Sequence, residues 1–179
     1  MREGLTAPYA QPVSVLTAAD NERLARTIEL AKFGLGRVHP NPLVGAVIVR
    51  DDVVLGEGWH EEFGGPHAEA NAIAAAGGAD LRGATLYVSM EPCCHHGKTP
   101  PCTDAIVGGD DDARDAGRGL GILRDEGIAV DVADGEIAAR ARLVNQAFRK
   151  HARTGRPWVL FKSAMTLDGK VATRTGDSQ

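Results

Sequence analysis

Aromatic side chains are scarce: two Trp, two Tyr and four Phe make up 4% of 179 residues. Any core must therefore be filled by aliphatic side chains and alanine. Hydrophobic residues at 43% suffice for one compact domain and exclude a disordered chain. A basic excess is also missing. The net charge of -4 excludes a dedicated nucleic-acid binder with a broad basic face. No apolar run approaches the roughly 20 residues that cross a bilayer. Met1 to Gln11 is polar and Pro-containing, without the apolar stretch of a secretory signal, so a cytoplasmic location is expected.

Cysteine is rare and clustered. Cys93, Cys94 and Cys102 lie within ten residues, an odd count that suits a disulfide framework poorly. In a reducing compartment such a cluster points to metal binding or catalysis. Cysteine is often merely a small buried hydrophobe. Here the neighbours Pro92, His95, His96, Lys98 and Pro100 are polar or turn-forming, which speaks against that reading.

What is present reads as alternating helices and strands. Thr17 is a plausible helix cap with Asp20 three positions on. Leu24, Ile28 and Ala31 mark one helical face that stops near Gly34 and Gly36. Leu43 to Val49 is an apolar, β-branched run that reads as a buried strand. Asp51 and Asp52 turn the chain, and Val53 to Trp59 returns as its partner. A helix is expected over His67 to Ala76, a strand over Leu86 to Ser89, and a helix from Cys102 to Val107. Residues 108–119 read as loop. A short helix over Leu120 to Asp125 and a strand over Ile128 to Val132 follow. A long helix is predicted over Glu136 to Arg153, with Ile137, Leu143, Val144 and Phe148 inward, and a last strand over Trp158 to Ala164. Such alternation implies an α/β layer architecture. The first two strands form a hairpin. The later ones need helical crossovers and should run parallel to their neighbours, giving a mixed sheet.

The chemistry concentrates in His67-Ala68-Glu69, Pro92-Cys93 and Cys102. One imidazole and two thiolates suit zinc, and three protein ligands leave a fourth tetrahedral position for water, the mark of a catalytic site. Two thiolates also cancel the charge of the ion, so the site can be buried. Glu69 is the candidate proton carrier, since zinc deaminases use a Glu that is not a ligand. In a regular helix, positions i and i+2 diverge by about 200°. His67 and Glu69 can therefore face one metal only at a helix start, which the Gly64-Gly65-Pro66 lead-in provides. Cys93 and Cys102 are both expected at loop-to-helix junctions, where backbone N–H groups favour thiolate. A closed structural site stays open as an alternative, with Cys94, His95 or His96 as fourth ligand.

Four stretches carry a family resemblance: HPNPLVGAVIV (His39 to Val49), GWH (Gly58 to His60), GGPHAEANAI (Gly64 to Ile73) and YVSMEPCCHHGKTPPCTDAI (Tyr87 to Ile106). They closely resemble the deaminase half of the bacterial bifunctional riboflavin-biosynthesis deaminase/reductase. Generic zinc deaminases place two residues between their cysteines. This sequence has eight between Cys93 and Cys102, as that subfamily does.

The resemblance implies a cytidine-deaminase-like three-layer fold. It also implies hydrolytic deamination of a diamino-ribosylamino-pyrimidinone 5′-phosphate to the 5-amino-uracil product and ammonia. By motif match His67, Cys93 and Cys102 would hold zinc and Glu69 would donate the proton. Asn41, His60, His95 and Lys98 fall where the family approaches its substrate. Lys98 is the only cation inside the metal loop apart from histidine, and a phosphate ester needs a cation. The substrate would be a phosphorylated pyrimidine, with no nucleic acid or membrane as partner; a homo-oligomer is conceivable. The alternatives are another zinc nucleobase or nucleoside deaminase, or a catalytically impaired remnant.

Two departures matter. Where the family usually has a further strand, this chain has GGDDDARD, without an apolar run. One sheet strand is expected to be missing and a sheet edge exposed. The zinc site should survive, because all its ligands precede the gap. The tail WVLFKSAMTLDGKVATRTGDSQ resembles only the opening of the reductase half, where positions matching Ala164 and Ser178 touch NADP and substrate. The expected organisation is a loose leader over 1–16, a zinc deaminase domain over 17–155 and a reductase-like fragment over 156–179, without a complete NADP pocket or reductase activity.

Overall fold

A computed structural model describes residues 16–94, 97–107 and 118–176. The chain divides into two compact units, Met1–Gln146 and Ala147–Gln179.

The first unit opens with α1 (Ala18–Lys32), whose cap is a reciprocal box between Thr17 and Asp20. Thr27, Ile28, Leu30 and Ala31 form its buried face. Strands β1 (Gly45–Arg50) and β2 (Val53–Trp59) make the expected hairpin. Asp51 and Asp52 both take left-handed φ values of 51° and 61°, as a two-residue type I′ turn requires. Helix α2 (Ala68–Ala75) follows, then β3 (Thr85–Val88) and α3 (Cys102–Val107). Helices α4 (Arg118–Asp125) and α5 (Gly135–Val144) complete the unit, and α6 (Gln146–Thr154) begins at its last residue.

The sheet order is β2-β1-β3. Alternation along β1 sets three layers. Val47 and Val49 join Leu30 of α1 on one face, whereas Ala46 and Ile48 join Ala68 and Ala72 of α2 on the other. The shortage of aromatic residues is thus met by fully buried alanines. The parallel pairing expected for later strands is not found among the described residues, because β3 pairs antiparallel with β1. The crossover argument applies to β2 and β3, which α2 joins. They do run the same way, but β1 lies between them.

Glycines let α2 sit close to the sheet. A Cβ on Gly58 would run into the Ala72 backbone N and the Ala68 carbonyl, and one on Gly56 into the Ala72 carbonyl. Replacing Gly58 with Ala should push α2 away from β2. We expect a loss of about 1–3 kcal/mol, seen as a melting temperature lowered by roughly 3–10 °C. A melting curve that matches the wild type would show that α2 yields without cost.

Four expectations fail. Residues 128–132 form no strand, because their backbone bonds turn back onto α4: Ile128 N–H donates to Leu123 O and the Arg124 guanidinium donates to Val130 O. The long helix is broken at Asn145, which leaves helical geometry with φ -99° and ψ 18° and is buried. Leu143, expected inward, is 63% exposed just before that break. Residues 158–164 form no strand either. The described part of their unit contains α6 and no strand to pair with, and a strand needs a neighbour. The loop expected over 108–119 lies outside the described residues up to 117; Arg118 and Gly119 already belong to α4. Three strands among the described residues are consistent with a missing family strand. No helix of the described residues is long and apolar enough to cross a membrane.

Candidate active site

Three segments converge at the C-terminal side of the hairpin. Gly64, with φ 88°, bends the chain into Pro66, and His67 caps α2 in extended geometry. Glu69 then falls in the first turn, so the i and i+2 side chains both reach the same point. Cys102 opens α3 immediately after the Pro100–Pro101 pair. Cys93 stands in coil rather than at a helix start, because α3 begins only at Cys102. Backbone bonds tie the two together: Cys102 N–H donates to Cys93 Sγ at 3.3 Å and Thr103 N–H to Cys93 O at 3.2 Å. Pro92 is held by α4, since a Cβ on Gly119 would meet its carbonyl at 2.5 Å.

His67 Nδ1 lies 3.2 Å from Cys102 Sγ and 3.4 Å from Cys93 Sγ. The three donor atoms all lie within 4.8 Å of one another. A tetrahedral zinc with Zn–S near 2.3 Å and Zn–N near 2.0–2.1 Å spaces its ligand atoms by roughly 3.5–3.8 Å. The donor set and its spacing therefore fit Zn²⁺. Among the described residues no further Cys, His, Asp or Glu joins this group. Cys94 is buried next to it without belonging to it, and His95 and His96 lie outside the described residues.

The three donors differ in their hold on a proton. Cys93 is pushed down to about 4, first by the hydrogen bond with Cys102 and then, against the cost of burial, by that with His67. The same contact with Cys93, together with burial, holds the Cys102 proton on. Two thiolates this close repel each other, and a metal held between them would favour loss of the second proton. The hydrogen bond with Cys93 raises the imidazole pKa of His67. Glu69 is 2% exposed, and its carboxyl pKa is raised above all by burial. Its Oε2 accepts from Cys102 Sγ at 3.3 Å, which places a proton-carrying group beside the cluster but outside the ligand set.

A second layer surrounds the cluster. His60 is 2% exposed and stacks edge-on against His67 with ring centroids 5.0 Å apart. Its Nδ1 lies 3.0 Å from Pro66 O, which only accepts, so Nδ1 carries the proton. Its Nε2 meets Asn41 Nδ2 at 3.1 Å. Asn41 is half-buried. Lys98 is exposed with Nζ 3.9 Å above the Phe63 ring. Sequence reasoning missed Thr99, whose Oγ1 sits 3.5 Å from His67 Nε2, and Phe63 under Lys98. Neither carries a spacing signal; only folding of the metal loop brings them in. Ala164 is exposed in the second unit, and Ser178 lies outside the described residues.

Residues 19–111 match the cytidine and deoxycytidylate deaminase zinc-binding region. The chain belongs to that family. Within it, the chain is 45% identical to riboflavin biosynthesis protein RibD of Actinobacillus pleuropneumoniae, over 93% of this chain and 46% of that protein. RibD of Escherichia coli (strain K12) is 43% identical, over 89% of this chain and 46% of its own length. Among solved structures, a diaminohydroxyphosphoribosylaminopyrimidine deaminase/5-amino-6-(5-phosphoribosylamino)uracil reductase from Thermotoga maritima aligns with a TM-score of 0.78 and 47% identity, covering 89% of this chain and 48% of that one. The deaminase-family chain thus spans about half the length of the relatives it matches. The resemblance to the deaminase half of the riboflavin enzyme and the cytidine-deaminase-like fold are both borne out.

Proposed function

We propose that this chain performs the deaminase step of riboflavin biosynthesis. The reaction is the hydrolysis of 2,5-diamino-6-ribosylamino-4(3H)-pyrimidinone 5′-phosphate to the 5-amino-6-ribosylamino-uracil phosphate and ammonia. The observation that carries the reading is the His67, Cys93, Cys102 cluster with buried Glu69 against it, in a chain similar to the Thermotoga maritima enzyme whose name states this activity. Three cysteines outside any disulfide suit a reducing compartment, in keeping with a cytoplasmic enzyme.

His67, Cys93 and Cys102 would hold Zn²⁺. When bound, the metal supplies Lewis acidity that activates water for attack on the amine-bearing carbon. Glu69 takes a proton from the attacking water, passes it to the ring nitrogen and then helps protonate the departing amine. The C–N bond breaks as the carbon becomes a carbonyl, so water and the amine are exchanged for oxygen and ammonia. The burial of Glu69 excludes bulk water from this transfer. Asn41, its amide held by His60, faces the substrate, and Lys98, with His95 three residues before it in sequence, takes the phosphate.

The test is ammonia release from the phosphorylated diaminopyrimidine against cytidine and guanine. Turnover of the first is expected; turnover of cytidine or guanine alone would assign the site to another member of the family. The phosphate contact has its own signature. Lys98→Ala should forfeit a charge-assisted bond of about 1.5–3 kcal/mol, raising KM by roughly 10- to 100-fold. The dephosphorylated nucleoside should be insensitive to the change. Equal losses on both substrates would remove Lys98 from the phosphate site.

A further inference from the structure

We propose that Asn145 is a positioning residue for this site: its side-chain amide pins the Leu43 peptide and so holds the loop that presents Asn41. The inference rests on the deaminase reading given above, in which Asn41 faces the substrate. Asn145 is 3% exposed, and its amide makes two bonds to one residue. Leu43 N–H donates to Asn145 Oδ1 at 2.7 Å, and Asn145 Nδ2 donates to Leu43 O at 2.7 Å.

That pair of bonds is what a strand partner supplies. In an antiparallel ladder a hydrogen-bonded pair exchanges both N–H···O bonds. Immediately downstream of Leu43, the chain is held by ordinary sheet partners: His60 N–H donates to Val44 O at 3.0 Å, and Ser89 N–H donates to Gly45 O at 3.0 Å. β3 runs out at that level, and the side chain of Asn145 takes over at Leu43. The helix break at Asn145 is what turns the amide inward. Two residues upstream of Leu43 stands Asn41, whose Nδ2 contacts His60 Nε2 at 3.1 Å. His67, Cys93, Cys102 and Glu69 lie on other segments. Asn145 bonds to none of these four side chains, so its expected effect falls on substrate placement, with zinc content as the control for any path through His60 to His67.

The decisive variant is Asn145→Asp, which keeps the volume and the acceptor for Leu43 N–H but loses the donor for Leu43 O. At neutral pH KM should rise at least tenfold, with kcat within about threefold and zinc content equal to wild type. The ratio of variant to wild-type KM should narrow as pH falls, because the protonated carboxyl again donates to Leu43 O. Asn145→Ala should show the same KM effect without the pH recovery; if it does not fold, the isosteric variant carries the test. Unchanged KM in a folded variant, or a fall in kcat together with loss of zinc, would overturn the proposal. If the wild-type chain shows no turnover, the functional reading fails and the clamp is judged by amide hydrogen exchange at Leu43. Faster exchange in Asn145→Asp then supports the clamp, and unchanged protection refutes it.

Discussion

Glu69→Gln is expected to lower kcat by roughly 10²–10⁴-fold, the range for removal of a general acid–base group, while zinc content stays at the wild-type level. Gln has the shape of Glu and occupies the same buried place at the start of α2, so packing is not disturbed. It cannot take a proton from water or return one to a leaving amine. Retention of metal follows from the ligand set, because Glu69 lies 3.3 Å from Cys102 Sγ yet is not one of the three converging donors. The folded protein should not suffer, since burial already disfavours the charged carboxylate at this position. The measurements are ammonia release under saturating substrate and zinc by atomic absorption. Loss of zinc in the variant would mean that Glu69 serves as a ligand. Equal rates in both proteins would mean that another group moves the proton.

Much of this site is readable from the residues alone, for a local reason. His67 and Glu69 are two residues apart, and only a helix start lets them face one point; the Gly-Gly-Pro lead-in announces such a start. The Pro-Pro pair before Cys102 does the same for α3. The hairpin is equally legible, because the apolar, β-branched run, the Asp-Asp turn and the returning strand are adjacent in sequence. What local pattern does not announce depends on distant partners. The antiparallel pairing of β3 is decided by the insertion of β1 between β2 and β3, which no short stretch encodes. Asn145 lies 102 residues from the peptide that it holds, and a helical pattern over Glu136 to Arg153 gives no sign that one amide must turn inward. Residues 128–132 and 158–164 have strand-like composition without a strand beside them; composition reports propensity, and pairing requires a neighbour.

Removing the metal should have the other large effect, and on stability as well as on rate. The three ligands come from the α2 cap, the coil at Cys93 and the first residue of α3, so one ion would cross-link segments 35 residues apart. Without it the Cys93 thiolate and the Cys102 thiol are held together only by hydrogen bonds, next to a buried acid. A ligand that binds only the folded state at a thousand times its dissociation constant contributes about 4 kcal/mol. For a chain of this size, that corresponds to a melting temperature lower by roughly 8–16 °C after chelation. Turnover should disappear in parallel, and added zinc should restore both. In Cys102→Ala, zinc should restore neither, since an imidazole and one thiolate leave the ion half-bound. The stability arm is independent of substrate identity: it reads the cluster itself, even if the pyrimidine is wrongly assigned. If chelation leaves both melting temperature and ammonia release untouched, the convergence of His67, Cys93 and Cys102 is a packing arrangement of soft side chains, and the deaminase chemistry has no metal to start from.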